Sequence, residues 1–299
     1  MAIKDLRVEI EPRLRSLDVY ARREVLSKTI EGEIATAFKG RGVEFSGFRQ
    51  YQAEDDANRI DWKASLRSGD ILIREFEEYK NTVVYFLLDV SDSMLFSSNE
   101  KLKCEYAAEL LYMLADAFSK AGDAVGMGMF NEDIITSVDP GTGSKVLNRM
   151  KGNLLDGNIY GGGFNLEKTL LKTKSKLSDR AVVIILSDFL GMKEGWEKYI
   201  KMFTHGFEII GISIKDERDL ELPKMQGRFL LKDPYTENNI YIDAKKHREE
   251  YKKKNEEELE YMNSVFKQAR GDFTLLRTDM EPTDKLIKFF SMRHKRSDM

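Results

Sequence analysis

Cysteine is nearly missing from this sequence. Cys104 is the only one in 299 residues, so no internal disulfide can form and a reducing compartment fits best. It lies in the helical pattern KLKCEYAAELLYMLADAF, where a small packed hydrophobe is expected. Histidine is scarce too, and His205, His247 and His294 sit in unrelated contexts without zinc-ligand spacing. No apolar run approaches the ~18 residues that read as a membrane helix. The first residues, MAIKDLRVEIEPR, lack the apolar centre of a signal peptide. No Gly-x-Ser-x-Gly elbow is present, which argues against a triad hydrolase. The run GTGSK at Gly141–Lys145 lacks the order of a phosphate-binding P-loop. There are no internal repeats and no low-complexity linker. These absences predict a soluble, cytoplasmic protein with no membrane span.

A dominant charge is lacking as well. Lys and Arg number 48 against 51 Asp and Glu, for a net charge of -3. Such a balanced surface has no global attraction to nucleic acid or to an anionic membrane. The one basic run, Arg293–Arg296, reads as a solvated terminus. The length is enough to bury a large core in one or two domains.

What the sequence does have is centred on Thr82–Met94, TVVYFLLDVSDSM. Six apolar residues, Val83 to Leu88, run straight into Asp89. A run of this kind reads as a strand buried on both faces. Ligands of parallel sheets bind just past the carboxyl ends of the strands, where Asp89, Ser91 and Ser93 fall. Their alternation lets one loop point three hard oxygens to one side, a set that suits a small divalent cation such as Mg²⁺. The competing reading is a strand-to-helix turn, where Ser and Asp are common as caps.

Upstream, Leu17–Phe38 has a helical apolar stripe. The following segment mixes Arg, Asp and aromatics without clean periodicity. There Arg49, Arg59, Arg67 and Arg74 face Asp55, Asp56, Asp61 and Glu75, and bidentate pairs are expected to fix the loops. Trp62 is expected to anchor them, and a strand at Ile71–Tyr79 ends the segment. From Thr82 onward strands and helices alternate. Strands are predicted at 83–88, 124–130, 181–186, 207–214 and 273–277. Helices are predicted at 101–121, 144–155, 166–177, 244–269 and from Pro282. Residues 134–138 are expected to form a hairpin with 124–130. The pattern predicts a doubly wound, mostly parallel α/β sheet at 82–299. Residues 1–81 should form a small irregular or β subdomain. The strand 181–186 also ends in an acid, Asp188. If it neighbours the first strand, Asp89, Ser91, Ser93 and Asp188 share one edge with the glycine loop Gly161–Gly163.

This constellation resembles the metal-ion-dependent adhesion site of the von Willebrand factor A domain, a Rossmann-like fold. The segment GRGVEFSGFRQYQAEDDANRIDWKASLRSGDILIREFEE, leading into LLDVSDSM, is similar to the signature of the family called domain of unknown function 58. GDAVGMGMF, VVIILSDFL, Leu222–Pro223, the piece KDPYTEN and the closing DFTLLRTDMEPTDKLIKFF extend the likeness over about 17–290. Such proteins carry a von Willebrand A-like domain and are associated with MoxR-type AAA ATPases.

The resemblance implies a metal site at Asp89, Ser91, Ser93 and Asp188, with Mg²⁺ as the possible ion. It also implies a third hydroxyl from a threonine in the glycine loop. Here Phe164 stands at that place, with Asn165 beside it as a candidate amide donor, so the site is a degenerate one. The function expected is a non-enzymatic interaction adaptor whose exposed edge binds a MoxR-type ATPase or its client. The alternative is a metal-dependent hydrolase using the same carboxylates. A haloacid-dehalogenase-like phosphatase would need a second acid two residues after Asp89, where Ser91 stands.

Overall fold

The computed structural model describes residues 44–52, 55, 60–77, 82–178, 181–225, 227–236 and 238–297. The helix expected at 17–38 lies outside them, as do Asp56, Arg59 and the end of the strand expected at 71–79.

Two strands, β1 (Glu44–Gln50) and β2 (Leu72–Glu77), pair antiparallel. Between them lies a short helix, α1 (Trp62–Ser68). Asp61 caps it by accepting from the Lys63 and Ala64 amides, and Gly69 ends it at positive φ. Arg49 and Asp55 form the expected bidentate pair at 2.7 and 2.6 Å. One other expectation for this segment does not hold. Trp62 is 64% exposed, because it is the first residue of a helix that buries none of its side chains. Arg67 is exposed as well. Arg67→Ala should therefore shift stability by less than about 0.5 kcal/mol, measured by chemical denaturation.

Regular alternation begins with β3 (Val83–Asp89), all but fully buried. A single 3₁₀ turn, Asp92–Leu95, leads to α2 (Lys103–Lys120). Then come β4 (Ala124–Phe130), β5 (Ile134–Gly141), α3 (Ser144–Leu154) and α4 (Leu166–Lys176). Next are β6 (Val182–Ser187), α5 (Glu197–Phe203), β7 (Glu208–Lys215) and the one-turn α6 (Glu217–Leu220). The chain ends with a hairpin of β8 (Arg228–Lys232) and β9 (Asn239–Asp243), then α7 (Ala244–Gln268), β10 (Asp272–Arg277) and α8 (Thr283–Ser297).

The six-stranded sheet has the order β10-β7-β6-β3-β4-β5. All its pairs are parallel except β4–β5, the expected hairpin. Counted within the sheet, this is the 3-2-1-4-5-6 order of a doubly wound fold, read from the β5 edge. Both faces are covered, so β3 and β6 are apolar without alternation. One face packs Val84, Phe86 and Leu88 against α2, α3 and α8. The other packs Tyr85 and Leu87 with residues of α4, α5 and α7. The order in which strands are added to the sheet reverses between β3 and β6, the switch point at which such sheets bind ligands. Among the described residues no helix is long and apolar enough to cross a membrane.

Candidate functional site

The parallel register pairs Leu88 with Leu186, so β3 delivers Asp89 beside Ser187 of β6. The Ser187 hydroxyl donates to Asp89 Oδ2 at 2.6 Å, and the Ser91 amide donates to Asp89 Oδ1 at 2.9 Å. Ser93 Oγ donates to Asp188 Oδ1 at 3.0 Å and lies 3.3 Å from Ser91 Oγ. The four residues expected from the sequence thus converge on one edge. The glycine loop joins them through the backbone: Asp92 N donates to Gly162 O at 2.9 Å, and Gly162 N donates to Asp92 Oδ1 at 3.0 Å. After Asp188 the chain turns through Phe189, whose φ of 56° is rare for a non-glycine residue. The Phe189 amide is held there by Ser187 Oγ at 2.8 Å.

Two residues at the site carried no signal in sequence spacing. Lys103, the first residue of α2, sends its ammonium to Asp188 Oδ2 at 2.7 Å and to Asp219 Oδ2 at 2.8 Å. Tyr235 comes from the β8–β9 connection. Its hydroxyl lies 3.0 Å from Ser91 Oγ and donates to Ser93 Oγ at 2.8 Å. The ring fits against Gly191, where an added Cβ would approach Tyr235 Cε2 to 2.8 Å. The only sequence clue to Tyr235 was its place inside the KDPYTEN piece of the family likeness.

These contacts close the edge that was expected to be open. Asp89, Ser91, Ser93 and Asp188 are each at most 2% exposed. Phe164 does not enter the oxygen cluster. Its ring stacks obliquely between Phe130 at 6.0 Å and Tyr235 at 6.5 Å. Asn165 is not an oxygen donor to the site either, since its side chain caps α4 by accepting from the Lys168 amide at 3.0 Å. A helix start needs such an acceptor. Two apolar side chains remain exposed around the site: Phe96, with the Lys103 ammonium 5.7 Å from its ring, and Leu190, whose carbonyl faces the Tyr235 hydroxyl at 3.3 Å.

Burial and the neighbouring Asp188 charge push the Asp89 carboxyl up to about 7, against the lowering effect of its bonds from Ser187 and Ser91. Burial acts the same way on Asp188, but the Lys103 and Lys215 ammoniums outweigh it and hold that carboxyl low. Burial alone would depress Lys103, and the two aspartates reverse this, leaving it firmly protonated. Burial also lifts the Tyr235 phenol well above its ordinary range. Among the described residues no three His, Cys, Asp or Glu side chains gather to hold a metal. Any ion here would depend on hydroxyl oxygens.

Curated relatives include uncharacterized proteins of Mycobacterium tuberculosis and Mycobacterium bovis, each 24% identical over 222 residues, 74% of this chain and 69% of theirs. Among solved structures, BatB from Bacteroides thetaiotaomicron aligns with 72% of this chain and all of its own at 17% identity and a TM-score of 0.49. A von Willebrand factor type A structure from Catenulispora acidiphila aligns with 73% of this chain and 43% of its own at 11% identity and a TM-score of 0.45. The family model described as protein of unknown function DUF58 matches residues 47–261, most of the sequence, and the chain belongs to that family.

Proposed function

We propose that this chain is a non-catalytic interaction module that docks a partner protein over the edge bearing Asp89, Ser91, Ser93 and Asp188. One observation carries the reading: two strands flanking the switch point bring four oxygen-bearing residues to one edge, with Ser91, Ser93 and Asp188 linked through their side chains and Asp89 holding the Ser91 amide. Around them stand the exposed Phe96 and Leu190. Exposed apolar side chains of this kind are the anchors that a protein interface buries. The family resemblance supplies the candidate partner, a MoxR-type AAA ATPase or its client.

The adhesion-site likeness also implies a divalent ion. The hydroxyls of Ser91 and Ser93 and the carboxylates of Asp89 and Asp188 are the donors that would hold Mg²⁺, and their oxygen chemistry fits it. Bound there, the ion would add a positive centre beneath the docking edge.

The hydrolase alternative is less well supported. Hydrolysis needs a reachable nucleophile and a base near its working pKa. Ser91 and Ser93 are buried, and Asp89, the carboxyl raised to about 7, is itself buried and accepts from the Ser187 hydroxyl and the Ser91 amide, not from a reachable nucleophile.

Docking is tested by capture of a purified MoxR-type ATPase on the immobilised chain. Leu190→Asp together with Phe96→Ser should weaken capture by about thirtyfold or more, since truncating one interface anchor costs about 2 kcal/mol. Both side chains are exposed, so folding should survive. Unchanged capture by the double variant would place the partner elsewhere. Running each arm with and without EDTA separates ion-dependent from ion-independent docking.

A further inference from the structure

A third hydroxyl, that of Tyr235, stands beside those of Ser91 and Ser93. Ser91 Oγ, Ser93 Oγ and the Tyr235 hydroxyl form a triangle with edges of 3.3, 2.8 and 3.0 Å. Metal–oxygen bonds of about 2.0–2.1 Å set at right angles place neighbouring ligands about 2.9 Å apart. The triangle therefore has the dimensions of one face of a magnesium octahedron. A fourth oxygen, Asp188 Oδ1, lies at the same kind of spacing, 3.0 Å from Ser93 Oγ.

Tyr235 is built into this position. Asp233 accepts from the Tyr235 amide at 2.9 Å and from the Thr236 hydroxyl at 2.7 Å, and its own amide donates to Asn238 O at 3.1 Å. The turn that carries the tyrosine is thus pinned by one carboxylate. Only a glycine at 191, at φ 88°, leaves room for the ring. The Phe164 ring, standing where the resemblance expects threonine, braces the Tyr235 ring instead.

From these contacts we infer that Tyr235 is the third hydroxyl ligand of a divalent-cation site with Ser91 and Ser93, replacing the threonine whose place Phe164 occupies. The ion class is a small, hard divalent cation that accepts neutral oxygen donors. Lys103 is then a positioning residue: it holds Asp188 Oδ2 at 2.7 Å and so turns Oδ1 toward the serines. The inference rests on the ion-binding reading of this edge. Its test contains no partner protein, so its failure leaves the docking reading to be judged by capture alone.

The test is a titration of the purified chain with Mn²⁺ followed by electron paramagnetic resonance, with Mg²⁺ as competitor. The wild type should bind one Mn²⁺ per chain. Tyr235→Phe keeps the ring and removes only the hydroxyl, and should weaken binding roughly tenfold, the worth of one bond to a charged group. Ser91→Ala should weaken it by a similar factor. Adding Phe164→Thr to Tyr235→Phe should restore part of the loss, and the melting temperature of each variant shows whether it is folded. In the wild type, bound Mn²⁺ should broaden the Tyr235 ring resonances, a readout that needs no variant. Equal or tighter binding by Tyr235→Phe would overturn the inference and make Tyr235 a plug. A wild type that binds no Mn²⁺ would overturn it too, leaving the trio a closed hydrogen-bond cluster beside the Lys103–Asp188 pair.

Discussion

Replacing Lys103 with methionine should lower the unfolding free energy by about 3–5 kcal/mol, read from the denaturant midpoint. The residue is 1% exposed, as is its partner Asp188. Methionine keeps most of the stem volume, so little of the loss comes from a cavity. What remains is Asp188, a buried carboxylate with no ammonium hydrogen-bonded to its Oδ2 and only the Lys215 charge to offset it. The second partner, Asp219, retains the Asp216 amide, which donates to its Oδ2 at 2.9 Å. It is also partly in water, so it adds less. Adding Asp188→Asn to Lys103→Met should recover part of the loss, because a neutral amide is cheaper to bury than a bare charge. Additive losses in the double variant would mean that the two side chains do not depend on one another. A wild-type midpoint for Lys103→Met would mean that water reaches Asp188 and screens it.

Lysine almost never sits fully buried unless paired, and nothing in the spacing of KLKCEYAAELL shows that Lys103 is the exception. Its partners lie 85 and 116 residues further on, beyond the reach of any periodicity argument. The strands and the four oxygen-bearing residues were legible for the opposite reason. A strand covered on both faces writes itself as an unbroken apolar run, as in Val83–Leu88 and Val182–Leu186. Each run ends where its polar residues begin, so Asp89 and Asp188 mark the same edge twice. Tyr235 was not legible as a site residue because its hairpin is small and polar at the turn, with no pattern that says where it folds back. Asn165 and Trp62 show the limits of reading residue type alone. An asparagine just before a helix is more often its cap than a ligand. A tryptophan in a charged segment reads as an anchor, yet in the structure it is exposed on a short helix.

The glycine loop yields the other large effect. Gly162→Ala should cost about 2–4 kcal/mol of stability, combining positive-φ strain with a lost hydrogen bond. Gly162 has φ 102°, and an added Cβ would come within 2.6 Å of Asn131 Nδ2. Asn131 cannot give way without loss. Its Nδ2 donates to Gly161 O at 2.7 Å, and its carbonyl accepts from the Asn165 amide at the start of α4 at 2.8 Å. Moving the loop instead breaks the reciprocal bonds between Gly162 and Asp92, which lies between Ser91 and Ser93. Gly143 is the control. It also has positive φ, 80°, but an added Cβ meets nothing within 4 Å. Gly143, at φ 80° and ψ -179°, lies in a region open almost only to glycine, so Gly143→Ala should show the conformational cost alone, about 1–3 kcal/mol. The two variants, unfolded side by side in denaturant, separate strain from collision. Equal losses would mean that the loop absorbs the methyl group without disturbing Asn131. A larger loss for Gly162→Ala, with altered Tyr235 ring resonances, would show that the glycine loop fixes the serine hydroxyls in register with the tyrosine.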